Sequence, residues 1–233
     1  MFKTLLVLLL LASAHFTISE EIQKVDPLEG INRVFYELNF NLLDPVIIKP
    51  IAIIYDQTTP KPVRRVLRNF FSNLDEVPSL VNNALQGKLG QAGNNAGRFL
   101  INTTIGLGGF FDVAKKAGLQ PGEDEDFGQT LAVWGIPAGP YLMLPFFGPS
   151  TLRDAPSNFV DSLFDPFSYN NQLSVRVAIK GIDLIALRAD LLGIDDVISG
   201  DEYLFIRDVY LQNREYVISD GAIEDNFDDL DDY

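Results

Sequence analysis

Asp26–Leu42 reads DPLEGINRVFYELNFNL, and this run decides the fold class. Asp26-Pro27 punctuates a helix start, since the missing N–H of proline is not needed in a first turn. Ile31, Val34, Phe35, Leu38 and Leu42 then fall on one side of a helix predicted over 28–42. The other stripe, Asn32, Tyr36 and Asn39, carries amides and a phenol where a solvated face usually carries Glu and Lys. The rhythm recurs downstream. After Thr59-Pro60, Val63, Val66, Leu67, Phe70, Phe71 and Leu74 keep helical spacing, and Val77, Leu80, Val81, Ala84 and Leu85 extend it to Gly87. A further helix puts Gln91, Asn95, Arg98 and Asn102 on one face, and late helices are predicted over 172–192 and 202–217. Strand alternation is scarce and no internal repeat is evident. The predicted class is all-α, a single helical domain over 26–219.

Composition narrows what such a domain does. The chain has 233 residues, 47% apolar and 21% charged, which is ample material for a folded core. A formal charge of −14 argues against a nucleic-acid partner, whose phosphates need a basic face. There is no cysteine, and the single histidine is His15. Beyond that residue the sequence offers neither a Ser-His-Asp nor a Cys-His mechanism, nor the commonest transition-metal ligands. No cofactor or metal is expected, and carboxylate chemistry is the catalytic class that survives.

Residues 1–14 are predicted to be a secretory leader, with Lys3 as its positive start, Leu5–Leu11 as its apolar stretch and Ala12-Ser13-Ala14 as its cleavage site. The apolar stretch falls short of the roughly 20 residues that cross a bilayer. Leu11-Ala12-Ser13-Ala14 also has the form of a bacterial lipoprotein box with alanine at the acylated position, so no lipid can be attached there. Residues 15–25 form a polar lead-in. At the other end, 220–233 carries seven acidic residues and no basic one, a block expected to stay solvated and disordered through self-repulsion.

Two segments are too apolar and too rich in proline for chain that faces water. Asp44–Tyr55, DPVIIKPIAIIY, sets Ile47, Ile48, Ile51 and Ile54 in a nearly continuous run that Pro50 is expected to kink or break. Gly135–Leu152, GIPAGPYLMLPFFGPSTL, brackets Tyr141, Leu142, Met143, Leu144, Phe146 and Phe147 with Gly and Pro, the pattern of a lid or partner-facing hairpin. Each large side chain left in water forfeits roughly 1.5–3 kcal/mol of burial. Two such segments on an exported chain point to a membrane interface. Other motifs read as structural. Gly106, Gly108 and Gly109 lack the Lys-Ser/Thr of a nucleotide loop and suggest a tight turn, and Glu123–Asp126 lacks the spacing of a calcium loop and suggests a solvated turn.

Four blocks in order resemble the VacJ/MlaA family: Asp26–Tyr55, Asn69–Lys88 (NFFSNLDEVPSLVNNALQGK), Arg98–Ala114 (RFLINTTIGLGGFFDVA) and Glu125–Pro156 (EDFGQTLAVWGIPAGPYLMLPFFGPSTLRDAP). The resemblance extends to about Glu215. It implies a ring-like helical domain with an amphipathic central channel, lying in the periplasmic leaflet of the outer membrane beside a porin. It further implies that phospholipids misplaced in the outer leaflet pass through the ring to a soluble periplasmic carrier, for return to the inner membrane, without being cleaved. Such a protein is not an enzyme. Family members are typically lipoproteins, and Ala14 departs from that pattern.

A channel for an amphiphile needs polar walls without fixed charge and an apolar exterior. The candidate walls are the stripes Asn32/Tyr36/Asn39 and Gln91/Asn95/Arg98/Asn102, and Asn39-Phe40 joins the polar first helix to the apolar run. Either stripe alone also fits a solvated helix face. Arg176 and Lys180, four apart on an otherwise apolar helix, repel unless an anion sits between them. A lipid phosphate and an ion pair such as Lys180 with Asp183 are both open. A carboxylate-based phospholipid hydrolase is a second class, but no G-x-S-x-G or histidine pair supports it. A porin-associated structural protein without a lipid path is the third.

Overall fold

The structure, a computed structural model, describes residues 26–193 and 200–222. The leader, the lead-in and residues 223–233 of the acidic tail lie outside the described residues. Helix α1 (Glu29–Tyr36) runs into a π-helical stretch (Glu37–Ile48) and on into α2 (Lys49–Thr58). The helix predicted over 28–42 is thus the first part of a 30-residue helical run. Pro50 does not break that run, contrary to the sequence expectation. It sits in the first turn of α2, where an absent N–H costs least. Pro45 lies within wide turns in which the Lys49 N–H donates to Asp44 O, five residues back, so the carbonyl that a proline ring would strike in an α-helix is displaced.

Helix α3 (Lys61–Leu85) ends at Gly87, whose φ of +80 only glycine adopts freely, and α4 (Leu89–Thr104) folds back along it. Then come α5 (Val113–Lys116) and α6 (Phe127–Val133), the latter capped by Asp126, which accepts from the Gln129 N–H. Strands β1 (Tyr141–Leu144) and β2 (Gly148–Thr151) form an antiparallel hairpin, with Tyr141 opposite Thr151 and Leu144 opposite Gly148. Helix α7 (Asp154–Ser162), a 3-10 turn (Pro166–Tyr169), α8 (Leu173–Asp190) and α9 (Glu202–Ile218) complete the described chain. The helical class holds, and this hairpin is the sheet found among the described residues.

The elements close a circuit. Helix α2 packs on α8, α8 meets α3, α3 meets α6, α6 meets α9, α9 meets β2, and β1 lies against α1. The join between first and last helices is polar. Arg33 pairs with Asp201 at 2.8 Å, the Tyr36 hydroxyl donates to Glu202 at 3.0 Å, and the Tyr203 hydroxyl donates to Asp26.

Polarity is inverted relative to a water-soluble domain. Among the described residues ten hydrophobic ones are buried, five of them alanines, against twenty-one polar or charged ones. Thirty-five large hydrophobic residues are exposed. Water-soluble domains bury such residues, so the apolar outer surface needs an apolar medium or a partner. On α1 and its continuation, Ile31, Val34 and Leu42 point out while Asn32, Tyr36 and Asn39 point in.

Candidate functional site

Helical spacing brings the inward stripe of α1 against the hairpin. Asn32 Nδ2 donates to Tyr141 O at 3.0 Å, and its Oδ1 accepts from the Met143 N–H at 2.9 Å. Asn39 repeats this nearer the tip, with Nδ2 donating to Leu144 O and Oδ1 accepting from the Phe146 N–H, both at 2.8 Å. A primary amide presents a donor and an acceptor side by side, so each asparagine takes the place of a neighbouring strand. Tyr36 stacks on Phe40 with centroids 5.0 Å apart and meets Tyr203 edge-on. The stripe expected on a channel wall is therefore covered by the hairpin.

The hairpin itself divides by strand alternation. Tyr141 and Met143 are each 1% exposed and belong to the core, so the lid or partner face expected of the whole segment does not include them. Leu142 and Leu144 are half-buried. The exposed end is Phe146 and Phe147, at 72% and 80%. Phe146 takes a left-handed φ of 70, which a bulky residue keeps only where its surroundings hold it, and the bond to Asn39 is one such hold.

The second stripe faces the seam between α3 and α4. Arg98, 3% exposed, binds Glu76 through Nε and Leu119 O through Nη1 at 2.8 Å. Asn95 Nδ2 donates to the same Glu76 carboxylate at 2.6 Å. Asn102 donates to Asp112 at 3.2 Å and accepts from the Ala114 N–H at 2.9 Å. Gln91 stays exposed. The acidic run at 123–126 is not a solvated turn throughout. Glu125 is buried and holds Lys88 at 3.0 Å, and Asp126 holds Arg214. Both cations lie far away in sequence, which is why the run looked free.

On α8 the two cations flank a cavity of about 310 Å³ lined by Asp165, Phe167, Leu173, Arg176, Val177 and Lys180, among others. Lys180 pairs with Asp165 at 2.8 Å, not with Asp183. Arg176 donates to Ser168 O at 3.3 Å and has no carboxylate partner among the described residues. Facing α8, Asp75 of α3 is open to solvent yet crowded by protein. That crowding, helped by Asp124, Asp183 and Asp165 and opposed by Lys180, pushes its carboxyl up to about 7. The same burial raises Asp124 and Asp183. Asp124 in the loop before α6 and Asp183 on α8 are thus close enough to Asp75 of α3 to repel it. Sequence reading missed Asp75, Glu76, Asn82 and Asn83, because a helix pattern dominated by Leu and Val hid the polar face of α3. On the outer surface Ile47, Ile51 and Ile54 are exposed and Ile48 is half-buried. No group of His, Cys, Asp and Glu suited to a metal ion occurs among the described residues.

Residues 24–217 match the family described as MlaA lipoprotein. The intermembrane phospholipid transport system lipoprotein MlaA of Escherichia coli K12 is 39% identical over 223 residues, 88% of each chain. The protein of that name from Haemophilus influenzae is 30% identical over 90% of this chain and 86% of its own. A solved structure described as the structural basis for maintenance of bacterial outer membrane lipid asymmetry aligns with a TM-score of 0.75 and 38% identity, covering 83% of this chain and 98% of its own. With sequence, fold and inverted polarity in agreement, the chain belongs to the MlaA family.

Proposed function

We propose that this protein is the outer-membrane component of a phospholipid transport system. It withdraws phospholipids misplaced in the outer leaflet and hands them to a periplasmic carrier for return to the inner membrane, which maintains lipid asymmetry. The inverted polarity carries this reading. A closed circuit of helices with apolar residues outside and charged, hydrated residues inside lets a domain sit in an acyl layer while offering a headgroup a polar path. The carboxylates around Asp75, with Lys180, form the inner wall, and the circuit of elements is the ring around it. Arg176 and Lys180 contact the lipid phosphate, for which an unpaired guanidinium supplies a planar pair of donors. Asn95, Arg98 and Asn102 hold the α3–α4 wall behind that path, and Asn32, Tyr36, Asn39 and Phe40 set the position of the hairpin beside it. No bond is broken in this process, so no catalytic residue is assigned.

The protein lies at the periplasmic face of the outer membrane after export by the leader at 1–14. The run Glu29–Thr58 is long and apolar enough to cross a membrane, but its inward amides tie it to the hairpin, and it lies within one leaflet. Ile47, Ile48, Ile51 and Ile54, with Phe146 and Phe147 at the hairpin tip, dip into the acyl layer. Scaled by their exposure, these side chains contribute on the order of 6 kcal/mol, more than a single marginal acyl chain needs to be replaced. A porin covers part of the apolar outer wall. The test is deletion of the gene followed by labelling of amine-bearing phospholipid on intact cells. Surface phospholipid is expected to rise and to fall again on complementation. Unchanged labelling would favour a porin-associated structural protein with no lipid path.

A further inference from the structure

A small cavity of about 90 Å³ lies where the α3–α4 turn meets the loop before α6 and the turn after α9. Asn83, Asn94, Asn95, Glu123, Glu125 and Asp220 line it, with no arginine and no aromatic ring among the described residues of its walls. Asn83 is 2% exposed, and its Nδ2 donates to Asn95 at 3.1 Å while its Oδ1 receives no hydrogen bond. A buried carbonyl oxygen without a donor is unfavourable unless a ligand supplies one. Asn94, also in the lining, donates its Nδ2 to Gln120 O at 2.8 Å. Glu123, Glu125 and Asp220 bring three carboxylates to the lining, and Lys88 bridges two of them, Glu125 at 3.0 Å and Asp220. The cavity therefore presents acceptors and a surplus of negative charge.

We propose that this cavity binds a primary ammonium group, the class carried by aminophospholipid headgroups and by soluble amines. An alkylammonium has three N–H donors, which Asn83 Oδ1, Glu123 and Asp220 can share. Lys88 shows that neighbouring carboxylates already hold such a group. A metal ion fits less well, because no three carboxylates converge on one point among the described residues. A quaternary ammonium has no N–H to offer and is recognised by aromatic walls, which are missing among the described residues of this lining. The volume is several times the roughly 10–15 Å³ that one water needs by the same measure, and so has room for an aminoethyl end. The inference deepens the transport reading and rests on it for the lipid source of the amine.

The test is calorimetric titration of the full chain in detergent, with Trp134 fluorescence as a second readout. That ring is the chain's single tryptophan, and its N–H donates to Leu85 O, two residues from Asn83. Short-chain phosphatidylethanolamine is expected to bind at least tenfold more tightly than the matching phosphatidylcholine. Glu123→Gln and Asp220→Asn should each remove about tenfold of that preference without moving the thermal midpoint. Free ethanolamine binding as tightly as the lipid assigns the cavity to soluble amines, and weaker binding assigns it to the headgroup. Equal affinity for both lipids, saturation by calcium chloride alone, or unchanged preference in both variants would overturn the proposal. The gene-deletion assay is independent of all three, so the transport reading stands or falls separately.

Discussion

Asn39→Ala removes the two bonds that tie the hairpin tip to the helical run, those to Leu144 O and the Phe146 N–H. A neutral hydrogen bond contributes about 0.5–1.5 kcal/mol net, and a buried group left unpaired costs about 1–3 kcal/mol. Each of the two bonds is counted at the middle of the net range, about 1 kcal/mol. Loss of the pair then destabilises the docked hairpin by about 2 kcal/mol, a rise of roughly thirtyfold in its local opening constant. Hydrogen exchange in detergent micelles, read on peptides covering 141–148, measures this opening directly. Asn39→Asp keeps the acceptor for the Phe146 N–H but turns a carboxylate towards Leu144 O, so it should loosen the tip at least as much. Asn32→Ala acts on Met143, deep in the core, and should lower global stability as well. If Asn39→Ala left the protection of Phe146 unchanged, strand pairing alone would hold the hairpin and the clamp would be refuted.

Other perturbations test the interior and the outer surface. Arg98→Leu leaves Glu76 buried without its cation, which costs about 3–5 kcal/mol, or roughly 10 °C in thermal midpoint. Adding Glu76→Leu should recover most of that loss in the same melting assay. Replacing Ile47, Ile51 and Ile54 together by Ser removes about 3 kcal/mol of acyl-layer burial, a drop of roughly a hundredfold in vesicle partitioning by flotation. Arg176→Glu should raise surface phospholipid in cells, whereas the exposed control Lys116→Glu should not; equal effects would remove the phosphate role. Asp75 has a folded-state pKa pushed up to about 7, above its unfolded value of about 3.9, so the folded state binds the extra proton between those limits. Stability should therefore fall as pH rises from 4 to 7 and level off above. Asp75→Asn should flatten that slope in melts across the window, and an unaltered slope would mean that Asp75 is not crowded.

Much of the fold is legible in the order of residues. The 3.6-residue spacing of Val63 through Leu85 defines α3, and the Gly and Pro brackets around Tyr141–Phe147 mark the hairpin. These are local signals, carried by backbone preferences and by side chains within one turn of each other. The amides of Asn32 and Asn39 also stood out, because nothing local explains a stripe of asparagine on an otherwise apolar helix.

Their partners did not stand out, and the reason is distance along the chain. Asn32 meets backbone atoms 109 and 111 residues away, and backbone atoms carry no sequence identity. Arg98 is a lone cation in α4 until folding sets Glu76 beside it, and the acidic run at 123–126 looks solvated until Lys88 and Arg214 arrive. Pro50 is a helix breaker by local rules, yet it falls in the first turn of α2, and wide turns accommodate Pro45 before it. The sequence by itself determined helices, a hairpin and an excess of apolar residues over any interior able to hold them. Only the tertiary structure decided that polar faces turn inward and apolar faces outward, because that choice depends on which distant donors and acceptors the closed circuit brings within reach.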